Sequence, residues 1–270
     1  MSDDLNAIIA DLDAEQEALR AVLGALPAPD WDRPTHAIGW CVRDQVSHLA
    51  YFDEAATRAM QTPEAFMAEV QEILAGGGEG LEAGYLARGR EMSPGDLLDW
   101  WRTASHALIA TARRADPSAR VPWYGPAMSP ASFITARLME TWAHGLDVVD
   151  VVDGDRPDTD RLRHVAFIGM RARPYSYSVR GKTPPSTQVR LELTLPSGER
   201  LDLGDAAAED VVRGTATDFC RVVTQRRHPA DTNLEIHGPA AEEWMAIAQA
   251  FAGPPGEGRQ PGQFAREKQA

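Results

Sequence analysis

Lysine is nearly absent from this 270-residue chain: only Lys182 and Lys268 occur, and arginine carries the rest of the positive charge. Positive charge is itself scarce, with 27 Lys and Arg against 40 Asp and Glu, for a net charge of −13. Such a surface repels phosphate backbones, which excludes nucleic acid as a partner. There are two cysteines, Cys41 and Cys220, far apart and in no Cys-x-x-Cys pair. That excludes zinc-ribbon and dithiol redox chemistry, and both are expected as reduced thiols. No apolar run approaches the roughly 18 residues of a membrane span. The opening MSDDLNAIIADLDAE is acidic and lacks the basic segment of a secretion signal, so a cytoplasmic protein is expected.

The hydrophobic fraction, 43%, is that of an ordinary globular protein, and the length suits two cores. The first half reads as helix. Leu5, Ile8, Ile9, Leu12, Leu19, Val22, Leu23 and Leu26 keep a 3.6-residue period from a Ser2 or Asp3 cap to Pro27. A second helix is expected over 42–61, with Cys41 as cap and Asp44 three residues on, a capping-box pattern. A third runs from Pro63 to the Gly76-Gly77-Gly78 break. Its partner starts at Ser93-Pro94, and a last long helix spans about 130–152.

Such helices without strand signals predict an up-down four-helix bundle over 1–155. Residues 156–183 read as a connecting helix and linker. From about 184 the period changes to two: QVRLELTLPSGERLDLG alternates around a Pro-Ser-Gly turn, a β-hairpin. A strand and a helix capped near Thr215 or Thr217, then a strand in NLEIHG and a closing helix, complete a small α+β domain over 184–252. The segment 253–270, rich in Gly, Pro and charge, is expected as a flexible tail. The fold class is therefore α+β.

In ARLMETWAHGLDVVD the residues Arg137, Glu140, His144 and Asp147 fall on one stripe of the helix. Glu140 and His144, four apart, can converge on one ion, and a third ligand must come from another helix. Two of the seven histidines lie inside other bundle helices, His48 and His106; His48, in line with Asp44 and Phe52, is the first candidate. Two imidazoles and a carboxylate are a standard catalytic divalent-metal set with positions left open.

DWDRPTHAIGWCVRDQVSHLAYFDEAA and RLMETWAHGLDVVD resemble the DinB-like metal-binding bundles, and within them the mycothiol-dependent maleylpyruvate isomerase family. The matching positions are Trp31, Pro34, Thr35, Gly39, Trp40, Val42, Arg43, Asp44 and His48, then Arg137, Glu140, His144 and Asp147. The resemblance implies His48, Glu140 and His144 as metal ligands, with zinc or another divalent metal between them. The C-terminal hairpin and the GTATDF helix look like the same family's smaller domain. There the family closes its helix with a Gly-Arg pair whose arginine reaches the active site. Here the helix ends TQRRH, so Arg226 or Arg227 must substitute.

The resemblance further implies mycothiol as co-substrate: zinc makes a thiol a thiolate at neutral pH, and the thiolate attacks a small electrophilic substrate. Expulsion of the thiol after bond rotation gives an isomerase, and retention gives a thiol S-transferase. A zinc-hydroxide hydrolase and a metal-binding protein without turnover use the same ligands. Asp147 is assigned to the second ring N–H of His144, or to a helix surface. Arg137 is assigned to Glu140 or to a substrate carboxylate. Monomer and homodimer are both compatible with the sequence.

Overall fold

The structure is a computed structural model that describes residues 5–76 and 80–264. The expected Ser2 or Asp3 cap, Gly77, Gly78 and residues 265–270 lie outside the described residues. The chain forms two compact units, 1–156 and 157–270.

The first unit is a bundle of four long helices, α1 (Leu5–Ala25), α2 (Val42–Gln61), α5 (Pro94–Ala112) and α6 (Pro130–Val149), with two shorter ones on its flank. The apolar stripe of α1 is buried as its period demands, through Ile8, Ile9, Leu12, Leu19, Val22 and Leu23. On α2, Val42, Val46, Leu49 and Ala50 are fully buried and pack with Trp31, Leu97 and Trp101. Each large apolar side chain so buried contributes about 1.5–3 kcal/mol. Serine caps start α5 and α6: Ser93 Oγ accepts from Asp96 N, and Ser129 Oγ accepts from Ser132 N, each with proline at the first helical position.

After α3 (Pro63–Ala75) comes an element the hydrophobic pattern does not announce, α4 (Leu81–Arg90). It carries Gly84 and Gly89, poor helix formers, and owes its helix to burial of Tyr85 and Leu86 against α2. A Cβ at Gly89 would sit 1.8 Å from Ser47 Oγ, so glycine is what lets α4 approach α2 this closely.

The second unit opens with α7 (Leu162–Arg171) and α8 (Arg173–Ser178), the stretch read as connecting helix. Within this unit α7 packs on α9, with Gly169 against Val223. The sheet is β1 (Val189–Thr194), β2 (Arg200–Leu203), β3 (Asp210–Thr215) and β4 (Glu235–His237), in the order β2-β1-β3-β4. The β1–β2 hairpin is antiparallel, β1–β3 parallel and β3–β4 antiparallel. Helices α9 (Ala216–Val223) and α10 (Pro239–Ile247) follow β3 and β4, and Thr215 Oγ1 caps α9 by accepting from Asp218 N. Residues 253–264, expected as part of a flexible tail, have no helix or strand but are tied to this unit. Tyr175 Oη donates to Gly253 O, Arg180 to Gly256 O, and Asp231 accepts from Gly262 N and Phe264 N. The architecture is α+β, as the change of hydrophobic period predicts. No helix among the described residues is long and apolar enough to cross a membrane.

Candidate metal centre

The site begins at the entry to α2. The carboxylate of Asp44, fully buried, accepts from the backbone N of Cys41 at 3.0 Å and from its thiol at 3.2 Å. Arg90 of α4 donates to both Asp44 oxygens at 2.9 and 2.8 Å. Burial alone would push this carboxyl up; the bonds from Arg90 and Cys41 outweigh it and hold Asp44 below its ordinary value. Burial and Asp44 push the Cys41 thiol up, and burial does the same to Cys220, so neither is a ready nucleophile.

One turn into α2, His48 meets α6. Its Nε2 lies 3.4 Å from Glu140 Oε2, and His144 Nε2 lies 3.1 Å from the same oxygen. One ligand atom from each of the three residues falls within 4.8 Å of the others. Burial first, and His144 next, pushes the His48 imidazole down to about 3, so it is neutral with a lone pair available. Burial opposes ionisation of Glu140, but the His144 and His48 imidazoles beside it outweigh that and hold it well below its ordinary value. The side chains of His48, Glu140 and His144 keep 16%, 21% and 11% of their exposure, so the cluster has an accessible edge.

The other nitrogen of His144 decides what this cluster can hold. Nδ1 is 2.5 Å from Gln45 Oε1, while Gln45 Nε2 donates to Thr35 Oγ1 at 2.9 Å and Thr35 Oγ1 donates to Trp40 O at 3.0 Å. Along this chain the proton of a neutral His144 sits on Nδ1, which leaves Nε2 as an acceptor facing a carboxylate oxygen. Two imidazole nitrogens and an anionic oxygen then converge on one point. That arrangement fits a divalent cation.

Several positions depart from the sequence reading. The oxygen on the second ring nitrogen of His144 belongs to Gln45, not to Asp147, because α2 crosses α6 at that height; Asp147 is buried one turn further on. Arg137 is directed to Asp53 rather than to Glu140: its Nε and Nη2 donate to Asp53 Oδ1 at 3.0 and 2.9 Å, with both residues buried. Asp53 Oδ2 accepts from Trp101 Nε1 and Gln16 Nε2. His106 is exposed on α5. Tyr85, whose Oη lies 3.3 Å from His48 Nδ1, comes from the unannounced helix α4. Gln45 and Tyr85 have no signal in the sequence beyond lying near His48 or in a weakly patterned stretch.

In the second unit, α9 ends with Arg226 N and Gln225 N donating to Arg221 O and Val222 O, a Schellman arrangement. Gln225 occupies its left-handed position, φ 60°, where glycine is usual. Gln225 therefore takes the conformational place that glycine usually fills at a helix end. Arg226 Nη1 donates to Thr224 O, and the Arg227 guanidinium lies 3.7 Å from the centre of the Phe264 ring.

Comparison with known proteins agrees with this architecture. The family described as mycothiol maleylpyruvate isomerase N-terminal domain matches residues 12–149. Two curated relatives from Mycobacterium tuberculosis, strains CDC 1551 / Oshkosh and ATCC 25618 / H37Rv, both bear the name uncharacterized protein. Each is 42% identical over 256 residues, covering 95% of this chain and 99% of the relative. The crystal structures of a mycothiol-dependent maleylpyruvate isomerase and of its histidine-to-alanine mutant share the fold, with TM-scores of 0.56 and 0.55. Each is 19% identical, and the match covers 83% of this chain and 90% of that one.

Proposed function

The chain belongs to the mycothiol maleylpyruvate isomerase N-terminal domain family, and from that premise we propose a zinc-dependent enzyme that uses mycothiol against a small electrophile. The observation that carries the proposal is the convergence of His48 Nε2, Glu140 Oε2 and His144 Nε2 with the His144 proton held away on Nδ1. Zinc bound by His48, Glu140 and His144 would keep a thiol at its open position in the thiolate form.

The chain's own residues then have separable tasks. Glu140 would offset one charge of the ion, and His48 and His144 would each give it a ring nitrogen. Gln45, anchored on Thr35, holds His144 in the ligating tautomer. Trp40 stacks on His144, ring centres 5.9 Å apart, and limits water at that edge.

In the reaction, thiolate sulfur adds to a carbon of a C=C bond conjugated to a carbonyl, and the electron pair moves onto the carbonyl oxygen. Rotation about the resulting single bond and expulsion of the thiolate complete a cis–trans isomerisation. Retention of the thioether makes the same site an S-transferase, and the product distinguishes the two. The unpaired thiols of Cys41 and Cys220 support a reducing, cytoplasmic setting.

Metal analysis and calorimetry test the proposal. The expected result is one divalent metal per chain, lost in His48→Ala, and mycothiol binding by the zinc protein that Glu140→Gln abolishes. Stoichiometric metal in His48→Ala would remove the ligand assignment. Zinc-dependent ester hydrolysis without thiol binding would favour a hydrolase; neither binding nor turnover would leave a metal-binding protein.

A further inference from the structure

Aromatic side chains in this molecule are distributed unevenly. Of the seven tryptophans, Trp31, Trp100, Trp101, Trp142 and Trp244 are at most 7% exposed. The two that remain half-buried are Trp40 and Trp123, and both belong to one aromatic wall that starts at the histidine pair. Trp40 lies 5.5 Å from His48, and Phe52 lies 4.5 Å from it. Phe52 continues to Trp123 and Tyr124, with ring centres 6.0 and 5.8 Å away, and Tyr51 closes the run by its hydroxyl contact with Tyr124 at 3.4 Å. Phe52, Trp123 and Tyr124 all retain exposure, so the wall is not finished core. Half-covered rings beside a reactive centre are what a planar ligand seats on.

The charges of the same unit point the same way. Of this unit's guanidiniums, Arg137 is engaged by buried Asp53, Arg58, 6.0 Å from the Tyr51 ring, is paired with Glu69 at 3.1 Å, and Arg120, in the loop that carries Trp123 and Tyr124, donates to Ala127 O. Each already has an oxygen partner. A short dicarboxylate would bring two anionic groups to a surface of rings and paired cations, and would gain little from stacking.

We propose that the electrophile handled at this site carries an aromatic ring, seated on Phe52, Trp123 and Tyr124 beside the His48–Glu140–His144 cluster. The proposal rests on the reading of that cluster as the active centre and narrows its substrate class. The probes are trans-cinnamate and fumarate, both planar conjugated acids, one ending in a phenyl ring and the other in a second carboxylate. Each is titrated calorimetrically into the zinc-loaded full-length protein, without thiol.

Cinnamate is expected to bind about tenfold or more tighter than fumarate. Phe52→Leu and Trp123→Leu should each weaken cinnamate by about fivefold, with zinc content and fumarate affinity unchanged. Fumarate binding as tight as cinnamate, no cinnamate binding at all, or a cinnamate advantage that survives both substitutions would overturn the proposal. The wild-type comparison stands even if a variant misfolds. Cinnamate selectivity in a protein that ignores mycothiol would support the aromatic site and refute the thiol reading. Mycothiol binding without that selectivity would do the reverse.

Discussion

Replacing Arg137 by methionine is the sharpest test of how the bundle is held together around the site. Arg137 and Asp53 have side chains only 4% and 0% exposed, and two guanidinium nitrogens share one carboxylate oxygen at 2.9 and 3.0 Å. Methionine fills much of the arginine stem's volume but leaves Asp53 Oδ1 buried without its charged donors. Oδ2 keeps Trp101 and Gln16. Breaking a buried pair from one side costs about 3–5 kcal/mol. For a unit of 156 residues, at about 2–4 °C per kcal/mol, the melting temperature should fall by roughly 6–20 °C. Burial already pushes the Asp53 carboxyl up, and Arg137 opposes it; without Arg137 it rises further. An acid with a raised folded pKa binds its proton more tightly folded than unfolded. The penalty should therefore grow as pH rises above the ordinary carboxylate range and shrink on acidification. Adding Asp53→Asn should return at least about 1 kcal/mol at neutral pH by removing the stranded charge. Chemical denaturation with chelator and with zinc separates this effect from metal-linked stability. A loss below about 1 kcal/mol for Arg137→Met, or no recovery with Asp53→Asn, would refute the argument.

Three further outcomes follow from particular contacts. Gln45→Leu should weaken zinc binding by about 10–100-fold in a chelator competition, while Gln45→Glu, which still accepts from His144 Nδ1, should stay close to wild type. An unchanged affinity in Gln45→Leu would show that the tautomer is held by something else. Gly89→Ala would place a methyl group 2.8 Å from Ser47 Cβ and drive α4 off α2. A loss of about 1–3 kcal/mol in urea unfolding is expected, with weaker zinc binding as Tyr85 shifts from His48. Gln225→Val should cost about 1–2 kcal/mol because a β-branched residue resists the left-handed turn. Gln225→Gly should stay within about 1 kcal/mol, losing the bond to Ala248 O but gaining backbone freedom. Equal effects of the two would argue against the turn as the constraint.

Local rules were enough for much of this protein. The 3.6-residue stripe of α1, the Ser-Pro starts of α5 and α6, the Cys41–Asp44 cap and the Pro-Ser-Gly hairpin depend on neighbours within a few residues, so they are legible in order along the chain. The pairing of Glu140 with His144 is legible for the same reason, since one helical turn sets it. Helix α4 was not legible: Gly84 and Gly89 depress its intrinsic propensity, and its formation depends on a surface of α2 that only folding presents. The partner of His144 Nδ1 depends on where two helices cross, which is why Gln45, 99 residues away, takes the place that spacing suggested for Asp147. Arg137 shares a stripe with Glu140, yet tertiary packing turns its fork to Asp53, 84 residues distant, because a buried guanidinium must find a buried carboxylate. Periodicity decides which face of a helix is buried. Which atoms meet on that face is decided by how helices far apart in sequence pack against each other.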